Sequence, residues 1–176
     1  MLKNINIDIN NIEYKVYDYS DKELRRQYVL NSNILNESCT TKLYKRDIID
    51  IADVAYAEGV SYEEPLFTYP LKFYVDKVAV TELPFYFYRH NVNGTTAEHM
   101  NKMNTLLEHL YVQMETHHFM MQTKFYMEYK DEIDLYFLRT FFEEPFYFSK
   151  ARGFAISPEL FRYMCVGVST MIPDYR

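Results

Sequence analysis

The first residues alternate apolar and polar positions in the manner of β-strands. Residues 5–9 and 12–17 place isoleucine, valine or tyrosine at nearly every second position, which is the period of a half-buried strand. We expect these two runs to pair as a hairpin across residues 10–11. Ser20 and Glu23 then form a capping box, which predicts a helix of about ten residues ending near residues 31–33.

The middle of the chain carries two helical patterns. Apolar residues at three- and four-residue steps predict a helix over 46–58, with Gly59 as the residue that follows its end. A further helix is predicted over 63–74. Pro65 falls in its first turn, where a missing N–H costs little, whereas Pro70 lies inside it and is expected to kink or shorten the helix.

Two short strand patterns follow, at residues 77–81 and 85–88. The three residues between them are too few for a crossover helix, so we expect a mixed or edge-like sheet. Thr95 and Glu98 form another capping box and predict the start of a long helix. Its apolar positions recur at three- and four-residue steps: Met100, Met103, Leu106, Leu107, Leu110 and Met114.

The C-terminal part is predicted to be helical throughout. Residues 131–148 repeat the helical spacing, with an interruption at Pro145. Ser157 and Pro158 supply a cap and a first-turn proline for a last helix, which Pro173 closes. The second half of the chain is therefore expected to form a helical bundle or lid.

Composition favours one ordered domain. The chain has 176 residues, 48% of them hydrophobic, with only four glycines and six prolines. Its unusual feature is the set of eighteen tyrosines and thirteen phenylalanines in the absence of tryptophan. Tyrosine suits both cores and concave sugar sites, so composition does not separate these two uses.

Charge and cysteine content narrow the classes of function. A net charge of -6 argues against nucleic-acid binding, which requires a concentrated basic face. Cys39 and Cys165 lie far apart and form no metal or redox motif, which fits a reducing compartment. The chain begins with no signal peptide and has no transmembrane segment, so we expect a cytoplasmic protein, or one at the inner face of the membrane.

Four segments between residues 41 and 96 resemble the second half of a family 2, GT-A type glycosyltransferase. They are Thr-Lys-Leu-Tyr-Lys-Arg-Asp at 41–47, Glu-Gly followed by Ser-Tyr-Glu-Glu-Pro-Leu-Phe at 58–67, Lys-Val-Ala-Val at 77–80, and Tyr-Phe-Tyr-Arg-His at 86–90. They occur in the family's order and at compatible spacing. Residues 97–176 are similar to the family in their helical character.

The resemblance implies a partial GT-A fold, an α/β or α+β-like fragment with a few short strands and a C-terminal helical bundle. Residues 1–96 would be the C-terminal part of the catalytic domain and 97–176 a helical region packed with it. Before Thr41 there is no room for the nucleotide-binding half and no DxD motif. The chain alone is therefore expected to be inactive. A nucleotide-sugar donor, a saccharide or cell-envelope acceptor, and Mn or Mg are expected for the full-length, hexosyltransferase-like enzyme.

Glu64 occupies the position of the family's catalytic carboxylate. An inverting transfer needs a base within hydrogen-bond reach of the acceptor hydroxyl. Glu64 stands where the family usually has Asp, and the additional methylene moves the carboxylate by roughly an ångström, which affects attack geometry. The alternative is that Glu63 and Glu64 simply favour the positive N-terminal end of their helix.

The resemblance assigns further residues to substrate binding: Lys42, Tyr44, Tyr62, Glu63, Arg89 and His90. Arg89 and His90 would face the leaving diphosphate, or they would be surface residues paired with solvent or a carboxylate. Lys42 and Tyr44 would line the acceptor side, although Tyr44 fits a core position equally well.

Other residues are given structural interpretations. His109, His117 and His118 are candidate metal ligands, because histidines at helical spacing can share an ion. Adjacent histidines point about 100 degrees apart on a helix, however, so His117 and His118 cannot easily bind the same ion. The acidic pairs at positions 47/50 and 131/134 are interpreted as solvated helix faces, so no metal site is predicted in this chain.

A non-catalytic oligomerisation or protein-interaction module, derived from a truncated glycosyltransferase, is the alternative function. The methionine- and tyrosine-rich helices would form its interface, with Met103, Leu107, Leu110 and Met114 buried in a homo-oligomer.

Overall fold

A computed structural model describes residues 12–30, 36–89, 91 and 103–174, with side chains in its longest helix from residue 105 onward. Helices dominate it, together with one small antiparallel sheet. Strand β1 (Lys15–Asp18) pairs with β2 (Lys77–Val80), Lys15 opposite Val80 and Asp18 opposite Lys77. Two predicted strands are thereby confirmed to within a few residues. The predicted run 5–9 and its hairpin turn lie outside the described residues.

The run at 85–88 was predicted to be a strand, and that prediction is wrong. Its aromatic residues follow an irregular path and are all more than half exposed. Alternation with aromatic residues indicates a strand only where a neighbouring strand is available to pair with it. The ladder of this sheet ends at Val80.

Helix α1 (Lys22–Leu30) has the predicted length but a different cap. Asp21 Oδ1 accepts hydrogen bonds from the N–H groups of Glu23 and Leu24, both at 3.0 Å. The hydroxyl of Ser20 donates instead to Asp18 Oδ1 at 2.6 Å. The predicted capping box is therefore wrong, because the aspartate one residue later is closer to the orphan N–H groups of the helix.

Helix α2 (Arg46–Ala52) is shorter than predicted. It ends where Asp53 adopts the left-handed conformation, with φ 51° and ψ 43°, and donates its N–H to Ile49 O at 3.1 Å. Aspartate tolerates this conformation better than most residues, so it takes the place expected for Gly59. Gly59 has a φ of +74° in a separate turn.

Helix α3 (Glu64–Tyr74) begins one residue after the predicted start, and Pro65 lies in its first turn as expected. Pro70 lies inside the helix, yet the helix continues without a break to Tyr74, so the predicted shortening is wrong. Every residue from Phe67 to Phe73 is buried. We infer that packing on all sides offsets the lost hydrogen bond, which costs about 3 kcal/mol in an isolated helix.

The C-terminal region consists of helices α4 (Met103–Met121), α5 (Lys130–Phe137), α6 (Glu144–Arg152) and α7 (Pro158–Met171). The predicted helix over 131–148 is interrupted earlier than Pro145, by a π-helical segment at Leu138–Glu143. Pro145 lies in the first turn of α6. The cap of α7 is confirmed, since Ser157 Oγ accepts from the Leu160 N–H at 3.2 Å. The predicted cap at Thr95 and Glu98 lies outside the described residues.

Helix α3 packs against α1, α2 and α4, so the N-terminal elements and the C-terminal helices share a core. The apolar stripe of α4 that was predicted as an oligomer interface is largely internal. Leu110 is fully buried, and Met114 packs against the cluster around Phe137 and Phe141, whereas Leu107 is 46% exposed. Within the described ranges, no helix combines the length and apolar character that a membrane span requires.

Candidate functional site

Glu64 lies at the first position of α3, and its side chain is half-buried rather than turned into bulk solvent. Its Oε1 accepts two hydrogen bonds from Cys39, one from the backbone N–H and one from the thiol, each at 3.0 Å. Cys39 opens a short 3-10 turn, Cys39–Thr41. The first turn of a helix favours a carboxylate, and this loop holds the carboxylate in place.

Lys42 and Tyr44 lie close to this carboxylate. Burial lowers the pKa of Lys42, and the negative charge of Glu64 partly opposes that change. The Lys42 ammonium donates to Asn36 Oδ1 at 2.7 Å and to the carbonyl of Ser38. The ring of Tyr44 packs edge-on against Phe67, with centroids 5.5 Å apart.

Tyr56 completes the surroundings of Glu64. Its ring stacks on Phe67 at 4.4 Å, and the side chain remains 42% exposed. Burial and a hydrogen bond with Cys39 raise its pKa, to which Glu64 and Glu63 also contribute. We call Cys39, Lys42, Tyr44, Tyr56 and Glu64 the Glu64 cluster. Glu63 therefore lies near it, at the N-cap of α3.

The chemistry available to this cluster is that of a carboxylate surrounded by hydroxyl groups. A carboxylate of this kind accepts a proton or a hydrogen bond from a bound hydroxyl, once that hydroxyl replaces the thiol of Cys39. Burial and the hydrogen bond to Glu64 raise the pKa of the Cys39 thiol. The thiol is therefore a donor in the neutral form, which does not suit nucleophilic catalysis.

Tyr62 is engaged by the C-terminal helices. It adopts a φ of 63°, and its hydroxyl accepts a hydrogen bond from Arg152 at 2.6 Å. Its ring meets His109 edge-on and lies beside Phe148. A non-glycine residue held at positive φ is uncommon, and here these contacts fix the conformation.

Arg89 is exposed and makes no hydrogen bond or ion pair with another described residue. His90 lies outside the described residues. The described residues therefore bring Lys42, Tyr44, Glu63 and Glu64 together, but they do not join Arg89 to this group. The role assigned to Arg89 and His90 stays a prediction.

A second polar cluster was missed by sequence reasoning. It consists of Glu37, Tyr69, Lys72, Tyr136 and Glu144, and we call it the Lys72 cluster. Tyr136 donates its hydroxyl proton to Glu37, and its ring stacks on Tyr69 with centroids 3.6 Å apart. One signal in the sequence pointed to it, since Lys72 interrupts an otherwise apolar stretch of a helix.

Burial shifts the titration of this cluster. It lowers the pKa of Lys72 to about 8, with an opposing effect from Glu37. Burial, together with the negative charges of Glu37 and Glu143, raises the pKa of the Glu144 carboxyl to about 7. Two oppositely charged groups with pKa values moved toward neutrality are typical of functional sites.

The histidines have structural partners. His117 Nε2 lies 2.8 Å from Asp134 Oδ1, and Lys130 donates to Asp134 Oδ2 at 2.6 Å. His109 Nε2 lies 2.9 Å from Thr140 O. Asp134 is 7% exposed, so the expected solvated acidic pair at 131/134 is wrong for its second member.

No group of three or more metal-ligating side chains is close enough to hold an ion in the part of the chain that the structure describes. The divalent cation that the resemblance implies belongs to the full-length enzyme and stays a prediction. Comparison with known proteins gives no assignment, because no family model, curated protein or solved structure matches this chain.

Proposed function

We propose that this chain is the acceptor-binding part of a nucleotide-sugar-dependent, hexosyltransferase-like glycosyltransferase that acts on a saccharide or cell-envelope acceptor. The observation that supports it is the half-buried carboxylate of Glu64, held by Cys39 beside Lys42, Tyr44 and Tyr56. Two segments that carry the sequence resemblance, 41–47 and 58–67, supply most of these residues. Their facing ends, residues 47 and 58, lie eleven positions apart in the chain, and the fold places Lys42 and Tyr44 near Glu64.

The proposed reaction assigns one step to this chain. The acceptor hydroxyl attacks the anomeric carbon of the donor sugar, a new C–O bond forms, and the bond to the nucleoside diphosphate breaks. Glu64 takes the hydroxyl proton during that attack. The exposed edge of Tyr56 and the ring of Tyr44 offer apolar surface against which a sugar ring packs. Lys42 is already satisfied by its loop and shapes the site more than it contacts a reacting atom.

The assay that tests this proposal adds the nucleotide-binding half, which this chain lacks. A GT-A nucleotide-binding half is produced together with this chain, and nucleoside diphosphate release is measured over a panel of sugar nucleotides and saccharides. Glu64→Gln is expected to lower kcat by about 100-fold, because the substituted amide does not accept the proton. Glu58→Gln, in an exposed turn, is the control and keeps the rate of the wild type.

Either of two results would contradict this proposal. One is equal rates for Glu64→Gln and the unchanged chain. The other is that no sugar nucleotide is consumed by the combined halves with any acceptor. Transfer by this chain alone would contradict the expectation that the donor half is required.

A non-catalytic interaction module is the second proposal, and one observation favours it. Phe85, Tyr86, Phe87 and Tyr88 form a continuous run in which each side chain is between 52% and 70% exposed. Contiguous exposed aromatic residues are typical of protein-contact surfaces. This run, and not the internal stripe of α4, would provide the interface.

The solution mass tests this second proposal. A module of this kind is expected to form a stable homodimer, and Phe85→Ser with Phe87→Ser is expected to weaken its association by at least about tenfold. Light scattering after size exclusion gives the mass over a range of concentrations. A monomer at every concentration contradicts a homo-oligomeric module, and Val166→Ser, on an exposed face of α7, serves as the control.

A further inference from the structure

The Lys72 cluster joins three parts of the fold. Glu37 comes from the loop before α2, Tyr69 and Lys72 from α3, and Tyr136 and Glu144 from either end of the π-helical segment. Its floor is buried, since Tyr69 is fully buried and Lys72 is 2% exposed. Its rim reaches solvent, because the Glu144 side chain is 43% exposed. The cluster is thus a polar site with an open side.

Two donors on this floor lack partners. The Lys72 ammonium makes no hydrogen bond or ion pair with another described residue, and it lies 5.4 Å from the centre of the Tyr69 ring. The Tyr69 hydroxyl is buried and has no hydrogen-bond partner among the described residues. Buried polar groups are almost always hydrogen-bonded, so unpaired donors of this kind point to a ligand that supplies acceptors.

The charges of the cluster discriminate between ligands. Glu37 lies close enough to Lys72 for its charge to oppose the lowering of the lysine pKa, and Lys42 lies close enough to lower that pKa further. Glu144 lies near Glu37, whose charge helps to raise the pKa of the Glu144 carboxyl. The two carboxylates would repel an anionic ligand, and the two lysines would repel a cationic ligand. A neutral ligand whose groups both donate and accept satisfies the ammonium, the phenol and the carboxylates together.

We infer that the Lys72 cluster binds the hydroxyl groups of a neutral saccharide, with Lys72 and Tyr69 donating to sugar oxygens and Glu37 and Glu144 accepting from sugar hydroxyls. The inference rests on the proposed function and names where the acceptor is held. Tyr136, which stacks on the buried ring of Tyr69 and is itself only partly buried, adds aromatic surface suited to the apolar face of a sugar. π-Helical turns occur frequently at functional sites, and here such a turn separates Tyr136 from Glu144.

Lys42 connects this cluster with the Glu64 cluster. The charges of both Glu64 and Glu37 act on its ammonium and raise its pKa against the effect of burial, so both carboxylates lie near this one side chain. A saccharide held at the Lys72 cluster would therefore lie next to the base that we propose for transfer. This arrangement favours an acceptor of more than one sugar unit.

The experiment measures binding by this chain without a donor. A panel of neutral mono- and disaccharides is titrated by calorimetry and by saturation-transfer NMR, with inorganic phosphate and ethanolamine as charged probes. Lys72→Met and Glu37→Gln are each expected to weaken saccharide binding by at least about tenfold. Lys150→Met and Glu58→Gln, both at exposed positions, are expected to stay within about twofold of the wild type.

The outcomes separate this inference from the proposed function. Saccharide binding that Lys72→Met leaves unchanged overturns the inference, even where Glu64→Gln abolishes transfer. Phosphate or ethanolamine binding more tightly than every saccharide also overturns it, since the charge argument would then be wrong. If Lys72→Met loses saccharide binding, the inferred site is supported. If the transfer assay also shows no reaction, the proposed transferase function is contradicted while the site is retained.

Discussion

Replacing Arg25 by methionine is expected to lower the free energy of unfolding by about 3–4 kcal/mol. Arg25 lies on α1, and its side chain is 9% exposed. Its Nε donates to Tyr19 O at 3.0 Å, and its two terminal nitrogens donate to the carbonyl of Phe73 and the carboxylate of Asp76. One guanidinium therefore connects α1, the end of α3 and the start of β2.

The physical reason lies in the groups left behind. Phe73 O belongs to the last turn of α3, where carbonyls have no partner within the helix, and Arg25 satisfies it. Methionine keeps an apolar side chain at this position but leaves the carbonyls of Tyr19 and Phe73 without the guanidinium donor. Chemical denaturation measures the loss. Arg46→Met is the matched control, because that side chain is 88% exposed and its bond to Asp50 is a surface ion pair. An equal change in both variants would show that the Arg25 contacts contribute little.

Local signals were sufficient to predict several elements. The cap and proline at Ser157 and Pro158 located α7, and the helical pattern over 63–74 located α3. These features depend on neighbours within one turn of helix, so the sequence contains the whole cause. The end of α2 at Asp53 was missed because the conformation of one residue stops it. The π-helical segment after Phe137 was missed for a related reason, since no residue type marks such a turn.

The candidate site could be predicted only in part. The resemblance named Lys42, Tyr44 and Glu64, which the fold brings together. The hydrogen bonds from Cys39 were not predictable, because they depend on how a loop lies across the start of α3. The same holds for Glu37 and Tyr136, which are 99 positions apart. Contacts of that separation are set by packing, which a local pattern does not encode.

The interior lysine connects stability with the inferred binding site. A charged group without a partner on the floor of a site costs stability, and natural proteins keep such groups where binding uses them. Lys72→Met is therefore expected to make the protein more stable while weakening saccharide binding. A purely structural lysine would give the opposite result for stability, since its removal would leave partners unsatisfied.

The stabilisation in Lys72→Met is expected to depend on pH. The pKa of Lys72 is about 8 in the folded protein, against an ordinary value of 10.5, because burial disfavours the charged form. The unfolded chain therefore holds more protons between these two values, and the stability of the wild type rises with pH across that window. Lys72→Met lacks this titration, so its advantage is expected to be about 3 kcal/mol near pH 7 and to fall to about 1 kcal/mol near pH 10.

Other titrating groups near Lys72 influence this measurement, and the comparison with the wild type removes most of their effect. Glu37 and Lys42 face it from the loop, Tyr69 lies on its own helix, and Tyr136 and Glu144 border the π-helical segment. These groups are present in both proteins, so the difference in unfolding free energy isolates Lys72. Denaturation at several pH values, with Lys150→Met as the exposed control, gives that difference. If the stability advantage of Lys72→Met over the wild type stays constant from about pH 7 to about pH 10, Lys72 is not held in a buried, charged form. The inferred sugar site would then lack the unpaired donor on which it depends.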